Sequence, residues 1–117
     1  MKSLKKDNER LIYEDVICVV GFKDEDTGVK ITNPTDFRLR FYVLGRTAEF
    51  ICSRAGSAAP ENCKIDGEGN IVCHIPKDTF PPGRLVLEDM DAVPCDGFDD
   101  NDYESIGRYD TGIIYIE

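Results

Sequence analysis

From Phe37 to Val43 the chain alternates with a period of two: Phe37, Leu39, Phe41 and Val43 recur at every second position, with Arg38, Arg40 and Tyr42 between them. Successive side chains of an extended strand point to opposite faces, so this run buries one side of a sheet and turns the other outward. A helix would scatter the same four apolar residues around its circumference. Val16 to Phe22 is a β-branched run of strand length, too short for a helix. Thr47 to Ser53 alternates more weakly, with Phe50 and Cys52 on one face, and Gly112 to Ile116 is again β-rich.

Turn signals separate these runs. Asp24 to Gly28 precedes Val29-Lys30-Ile31, Asn33-Pro34-Thr35 precedes the alternating strand, and Ala55 to Pro60 forms a small-residue loop. Asp66-Gly67-Glu68-Gly69-Asn70 is the strongest hairpin signal. With Gly67-Glu68-Gly69 as its loop, Ile65 lies opposite Ile71, Lys64 opposite Val72, and Cys63 opposite Cys73. Parity then gathers Cys63, Ile65, Ile71, Cys73 and Ile75 on one apolar face and leaves Lys64, Val72 and His74 on the other. A two-residue loop would oppose unlike residues.

Two segments invite a helix: Glu9 to Cys18, ambiguous between helix and extended arm, and a single turn at Pro76 to Phe80 that Pro81-Pro82 stops. Many short strands with almost no helix predict an all-β fold, an antiparallel β-sandwich of one domain over 16–117 preceded by an N-terminal arm or short helix over 1–15. The expected inner faces hold Phe37, Leu39, Phe41, Val43, Ile65, Ile71, Ile75, Leu85 and Leu87. A length of 117 residues fits one domain, and 41% hydrophobic residues supply a core without metal or disulfide staples.

The net charge is −9, from 23 acids against 14 bases. Such a surface repels phosphate backbones and anionic lipid, which argues against nucleic-acid and membrane partners. Met1 to Lys6 resembles the start of a signal peptide, but Glu14 and Asp15 interrupt any apolar stretch, so no signal peptide is expected. Five cysteines, Cys18, Cys52, Cys63, Cys73 and Cys95, form no C-x-x-C pair and read as free structural thiols in a reducing compartment.

Chemistry finds little purchase. Any Ser-His-Asp or Cys-His arrangement must run through the lone histidine, His74, which sits mid-strand. No glycine-rich loop opens a helix to cradle phosphate. The sequence therefore offers no catalytic, cofactor-binding or metal-ligating residue, no cofactor, and a protein that is not an enzyme. The acidic stretch from Glu88 to Asp110 reads as a long irregular loop, a place where binding function gathers. Within it Asp100-Asn101-Asp102-Tyr103-Glu104 has calcium-loop spacing, but Ser105 and Thr111 stand where an EF-hand needs Gly and Glu.

Three segments carry a family resemblance: Val20 to Gly28 leading into Asp36 to Tyr42; Asn62 to Gly67 followed by Phe80 to Leu85; and Asp96-Gly97 through Tyr109-Asp110-Thr111-Gly112-Ile113. Together they resemble small tail and baseplate-type proteins of tailed phages and prophages of gut Bacteroidetes, similar to the N-terminal domain of phage baseplate upper proteins. The resemblance implies an immunoglobulin-like sandwich serving as a virion structural protein or adaptor. It implies other tail or baseplate proteins as partners, with self-association as a further option, and assembly in the bacterial cytoplasm into the virion. No functional residues carry over. The alternative is a ligand-binding β-sandwich module, calcium-dependent or carbohydrate-directed, using the acidic 96–110 loop and exposed aromatics such as Tyr103 and Tyr109.

Overall fold

A computed structural model of the chain describes residues 8–24, 26–94 and 101–117. They form an all-β fold of eight strands: β1 (Glu9–Leu11), β2 (Val16–Val20), β3 (Phe37–Val43), β4 (Glu49–Arg54), β5 (Cys63–Ile65), β6 (Ile71–Ile75), β7 (Gly83–Pro94) and β8 (Asn101–Ile116). A five-stranded sheet has the order β1-β8-β7-β3-β4, and a three-stranded sheet has the order β2-β6-β5. One hydrophobic core joins them, drawing Leu39, Phe41, Val43, Cys52 and Leu85 from the larger sheet and Val16, Cys18, Ile71, Cys73 and Ile75 from the smaller.

Period-two alternation places the core as the sequence leads one to expect. Phe37, Leu39, Phe41, Val43, Ile71, Ile75 and Leu85 are buried, while Ile65 and Leu87 are partly buried against them. Phe50 and Cys52 face the same interior, opposite Phe41 and Leu39. Tyr42 lies on the outer face yet is buried, because the Arg40 guanidinium covers its ring at 4.3 Å. The hairpin has the three-residue loop and the register Cys63↔Cys73, Lys64↔Val72, Ile65↔Ile71. Asp66 holds it closed: its N–H donates to the Asn70 carbonyl at 3.0 Å, and its carboxylate accepts from the N–H groups of Glu68 and Asn70, each at 2.9 Å. Gly69 is required there, since it has φ +83° and an added Cβ would lie 2.5 Å from the Thr32 backbone.

Three readings are corrected. The acidic stretch is not an irregular loop. β7 and β8 pair antiparallel from Glu88↔Arg108 out to Pro94↔Asn101, so residues 88–94 and 101–110 are ladder, and 95–100 lie outside the described residues. Backbone pairing is blind to side-chain polarity, and this ribbon lacks the apolar alternation by which a strand announces itself. The fold is also not purely antiparallel. Glu9–Leu11, in the segment left open between arm and helix, is a strand paired in parallel with the end of β8. The turn proposed at Pro76 to Phe80 is likewise not helical; Thr79 Oγ1 donates to the Pro76 carbonyl at 2.6 Å and Asp78 has φ 62°.

Residues 12–15 then carry the chain across from the larger sheet to the smaller. Lys77 N–H donates to Asp15 Oδ1 at 2.8 Å and Asp78 N–H to the Ile12 carbonyl at 2.9 Å, which ties this crossing to the loop after β6.

Candidate binding site at the free edge of β2

The two sheets differ in width, and the difference creates the site. On the inner face of the larger sheet Phe41, Leu87 and Tyr109 form one cross-strand row over β3, β7 and β8. Their burial falls along it: Phe41 is fully buried, Leu87 partly, and Tyr109 is 57% exposed. The smaller sheet therefore stops short of β8. Among the described residues nothing pairs with β2 on the side away from β6. Between that edge and the larger sheet lies a cleft of about 450 Å³, walled by Ile17 to Gly21 and floored by Leu87, Tyr109, Thr111 and Ile113.

β2 is Val-Ile-Cys-Val-Val, without a charge, proline or bulge to blunt its edge. Val16 and Cys18 face the core, while Ile17 and Val19 stand outward at 63% and 60% exposure. An unpaired, uncharged strand with a wet apolar face is a template for another strand. The charges sit at its rim. Asp110 accepts from Gly112 N–H at 2.9 Å and pairs with Arg84, and these two contacts hold its carboxyl below the usual range. Asp15 accepts from Lys77 N–H and pairs with His74 at 3.3 Å, which lowers it likewise.

The outer face of the larger sheet carries a different cluster. Glu88, only 4% exposed, accepts from Arg108 Nε at 2.7 Å and from Arg40 Nη1 at 3.3 Å. Burial works to raise its pKa, but hydrogen bonds from Arg108 and Ser105 and the charges of both arginines outweigh it, and the net shift is downward. Both arginines are committed to ion pairs, Arg40 with Glu49 as well as Glu88, which marks a structural network rather than a reactive centre.

Of the positions weighed from sequence, His74 is exposed on the outer face of β6, and strand alternation sends Cys73 inward, so the two do not form a nucleophile–base pair. Asp100, at the start of the calcium-like segment, lies outside the described residues; 101–104 are extended ladder, whereas a calcium loop must turn around its ion. Among the described residues no group of three or more His, Cys, Asp or Glu side chains is arranged to hold a metal ion. The free edge of β2 was not read from sequence. Its signal was there: Val16 to Val20 is apolar on both faces, the mark of a strand meant to be covered on both.

Compared with protein-family models, with curated proteins and with solved structures, the chain matches none.

Proposed function

We propose that this protein is a non-enzymatic, immunoglobulin-like interaction module that binds a partner by accepting an extended segment along β2. The strand order supports the immunoglobulin-like reading. In that topology the larger sheet would correspond to A′-G-F-C-C′ and the smaller to B-E-D. Among the described residues no strand takes the position beside B that strand A holds in an A-B-E-D sheet, and Glu9–Leu11 pairs with β8 instead. The observation that carries the proposal is the coincidence of the β2 edge, unpaired among the described residues, with a floor beneath it of exposed Tyr109 and half-buried Leu87 and Ile113. A strand added there satisfies backbone groups of β2 and covers the apolar floor with alternate side chains.

The resemblance to phage tail and baseplate-type domains supports placing this contact in a tail or prophage particle, as a structural or adaptor role. The donor segment then belongs to another tail protein or a second copy.

Peptides selected from a display library on the intact chain test the binding mode. Selected ligands should alternate apolar and polar residues, protect β2 amides from hydrogen exchange, and lose affinity at least tenfold against Val19→Lys. Val19 is exposed, so this variant should keep its melting temperature. Ligands that protect the outer face of the larger sheet instead, or bind Val19→Lys equally well, would refute strand addition. Co-expression with tail or baseplate proteins tests the setting: a complex with one of them that Val19→Lys disrupts is the expected result.

A further inference from the structure

Four cysteines scattered through the sequence converge on one place in the core. Cys18, Cys73 and Cys63 form a single transverse row across the smaller sheet, with Cys18↔Cys73 between β2 and β6 and Cys73↔Cys63 between β6 and β5. Cys52 faces this row from β4 of the larger sheet. Its thiol donates to the Asn62 carbonyl at 3.4 Å, next to Cys63 in the chain, and the Cys63 thiol donates to the Glu61 carbonyl at 3.3 Å. All four thiols are free.

They are not equivalent. Cys18, Cys52 and Cys73 are buried, whereas Cys63 is partly exposed and lines a surface cleft of about 430 Å³ with Asn62, Lys64, His74 and Pro76. Their acidities differ as well. Cys63 is pushed up to about 11, chiefly by burial, and Cys73 is raised by its hydrogen bond to Cys52 and by burial. Cys52 is lowered, chiefly by the neighbouring Cys73 thiol. The group thus has one partly exposed thiol and, behind it in the core, a second thiol on the facing sheet that only a neighbouring sulfur can meet.

We infer that Cys63 and Cys52 form a redox pair, with Cys63 the point of entry for a small disulfide such as oxidised glutathione and Cys52 the resolving thiol. Burial keeps Cys63 mostly protonated near neutral pH, so the exchange is slow there and quickens as pH rises; its thiolate fraction attacks one sulfur of the small disulfide. A mixed disulfide forms at Cys63, and one glutathione thiolate leaves. The Cys52 thiolate then attacks the Cys63 sulfur, the mixed disulfide breaks, and a second glutathione thiolate leaves. The protein has lost two electrons to the small disulfide, and the two thiol protons end on the two glutathiones. The product joins β4 to β5 and so ties the two sheets together, on the flank where Ser53 and Glu61 already bridge. The flank with the free edge of β2 is untouched.

The test treats the folded chain, in a Cys95→Ser background, with oxidised glutathione, then alkylates and maps disulfides by mass spectrometry. Expected are a peptide linking Cys52 to Cys63, loss of both thiols, and a melting temperature raised by several degrees, all reversed by dithiothreitol. Cys63→Ser should leave Cys52 unmodified in the folded protein. Cys52→Ser should stop at a stable mixed disulfide on Cys63; because Cys52 is fully buried, circular dichroism checks that this variant folds. A stable mixed disulfide at Cys63 in the parent chain, a link from Cys63 to Cys73, or a folded chain that loses no thiol would each overturn the inference.

Discussion

Tyr109 lies over Gly107 on the inner face of the larger sheet: a Cβ added at Gly107 would meet the Tyr109 hydroxyl at 2.7 Å and its ring carbons at 3.0 and 3.1 Å. The ring is thus laid along β8 by a neighbour two residues away and still keeps more than half its surface in water. In a finished core an aromatic ring on an inner face is covered by the opposite sheet. Here the opposite sheet ends at β2, and the ring is left as floor.

Tyr109→Ala should therefore cost little stability, about 1 kcal/mol or less by chemical denaturation, as befits a half-exposed side chain. Phe41→Ala, two strands away in the same row and fully buried, should cost about 3–5 kcal/mol. If Tyr109 is part of a strand-binding floor, its loss should appear in partner affinity while the fold barely registers it. Equal destabilisation by the two substitutions would mean that the flank is covered in solution.

How much of this was legible depends on the range of the interactions. The Cys63 to Ile75 hairpin could be read residue by residue, because a short loop fixes register and a one-residue slip would turn Ile65 and Ile71 outward. The inner face of β3 was legible for the same reason. The β7–β8 ribbon was not, since Asp89, Asp91, Asp102 and Glu104 carry no strand signal and only the partner strand makes them one. The free edge of β2 and the convergence of four cysteines were beyond any local reading. Both depend on which strands meet after the chain has crossed between sheets at residues 12–15, and no spacing in the sequence encodes that crossing.

Glu88 should give the domain a measurable acid sensitivity. Its folded pKa lies below the ordinary 4.5. A carboxyl of this kind contributes stability that is complete above its unfolded pKa and is lost as pH falls through the folded value. Urea midpoints followed from pH 7 downward should hold until roughly pH 4.5 and then drop, with other lowered carboxyls such as Asp110 adding to the fall. Glu88→Gln should cost about 1–3 kcal/mol at pH 7, because Arg40 and Arg108 lose a charged acceptor, and should make the acid limb shallower. An unchanged acid limb in that variant would assign the sensitivity to other groups.

Tyr115 points the other way. Its ring is buried and packs on Phe80 with centroids 5.8 Å apart, but its hydroxyl is buried without a hydrogen-bond partner among the described residues. Burial drives the phenol pKa upward, so the group stays neutral and the cost is that of an unsatisfied hydroxyl. Tyr115→Phe keeps the ring contact and removes the orphan oxygen. Thermal unfolding should show a variant as stable as the parent or better, by up to about 1 kcal/mol. A loss of more than that would reveal a partner for the hydroxyl in solution.

The end of β8 decides whether the larger sheet closes at all. Ile114, Tyr115 and Ile116 lie between two strands, pairing with Glu9, Arg10 and Leu11 of β1 on one side, while Ile114 and Tyr115 meet Arg84 and Gly83 of β7 on the other. Removing residues 113–117 deletes the partner of β1, exposes the β7 edge at Gly83 and Arg84, and empties the space beside Phe80. The Tyr115 cavity alone is worth about 3–5 kcal/mol by analogy with large-to-small aromatic substitutions, against a typical total of about 5–15 kcal/mol for a domain. The ladder bonds and the burial of Ile113 add to that. The truncated chain should therefore lack a cooperative thermal transition and bind a hydrophobic dye, whereas the full chain shows neither defect. A truncated chain that melts cooperatively near the parent temperature would show that β1 and the end of β8 are an appendage, and that the core of Phe41, Leu39 and Ile71 stands without them.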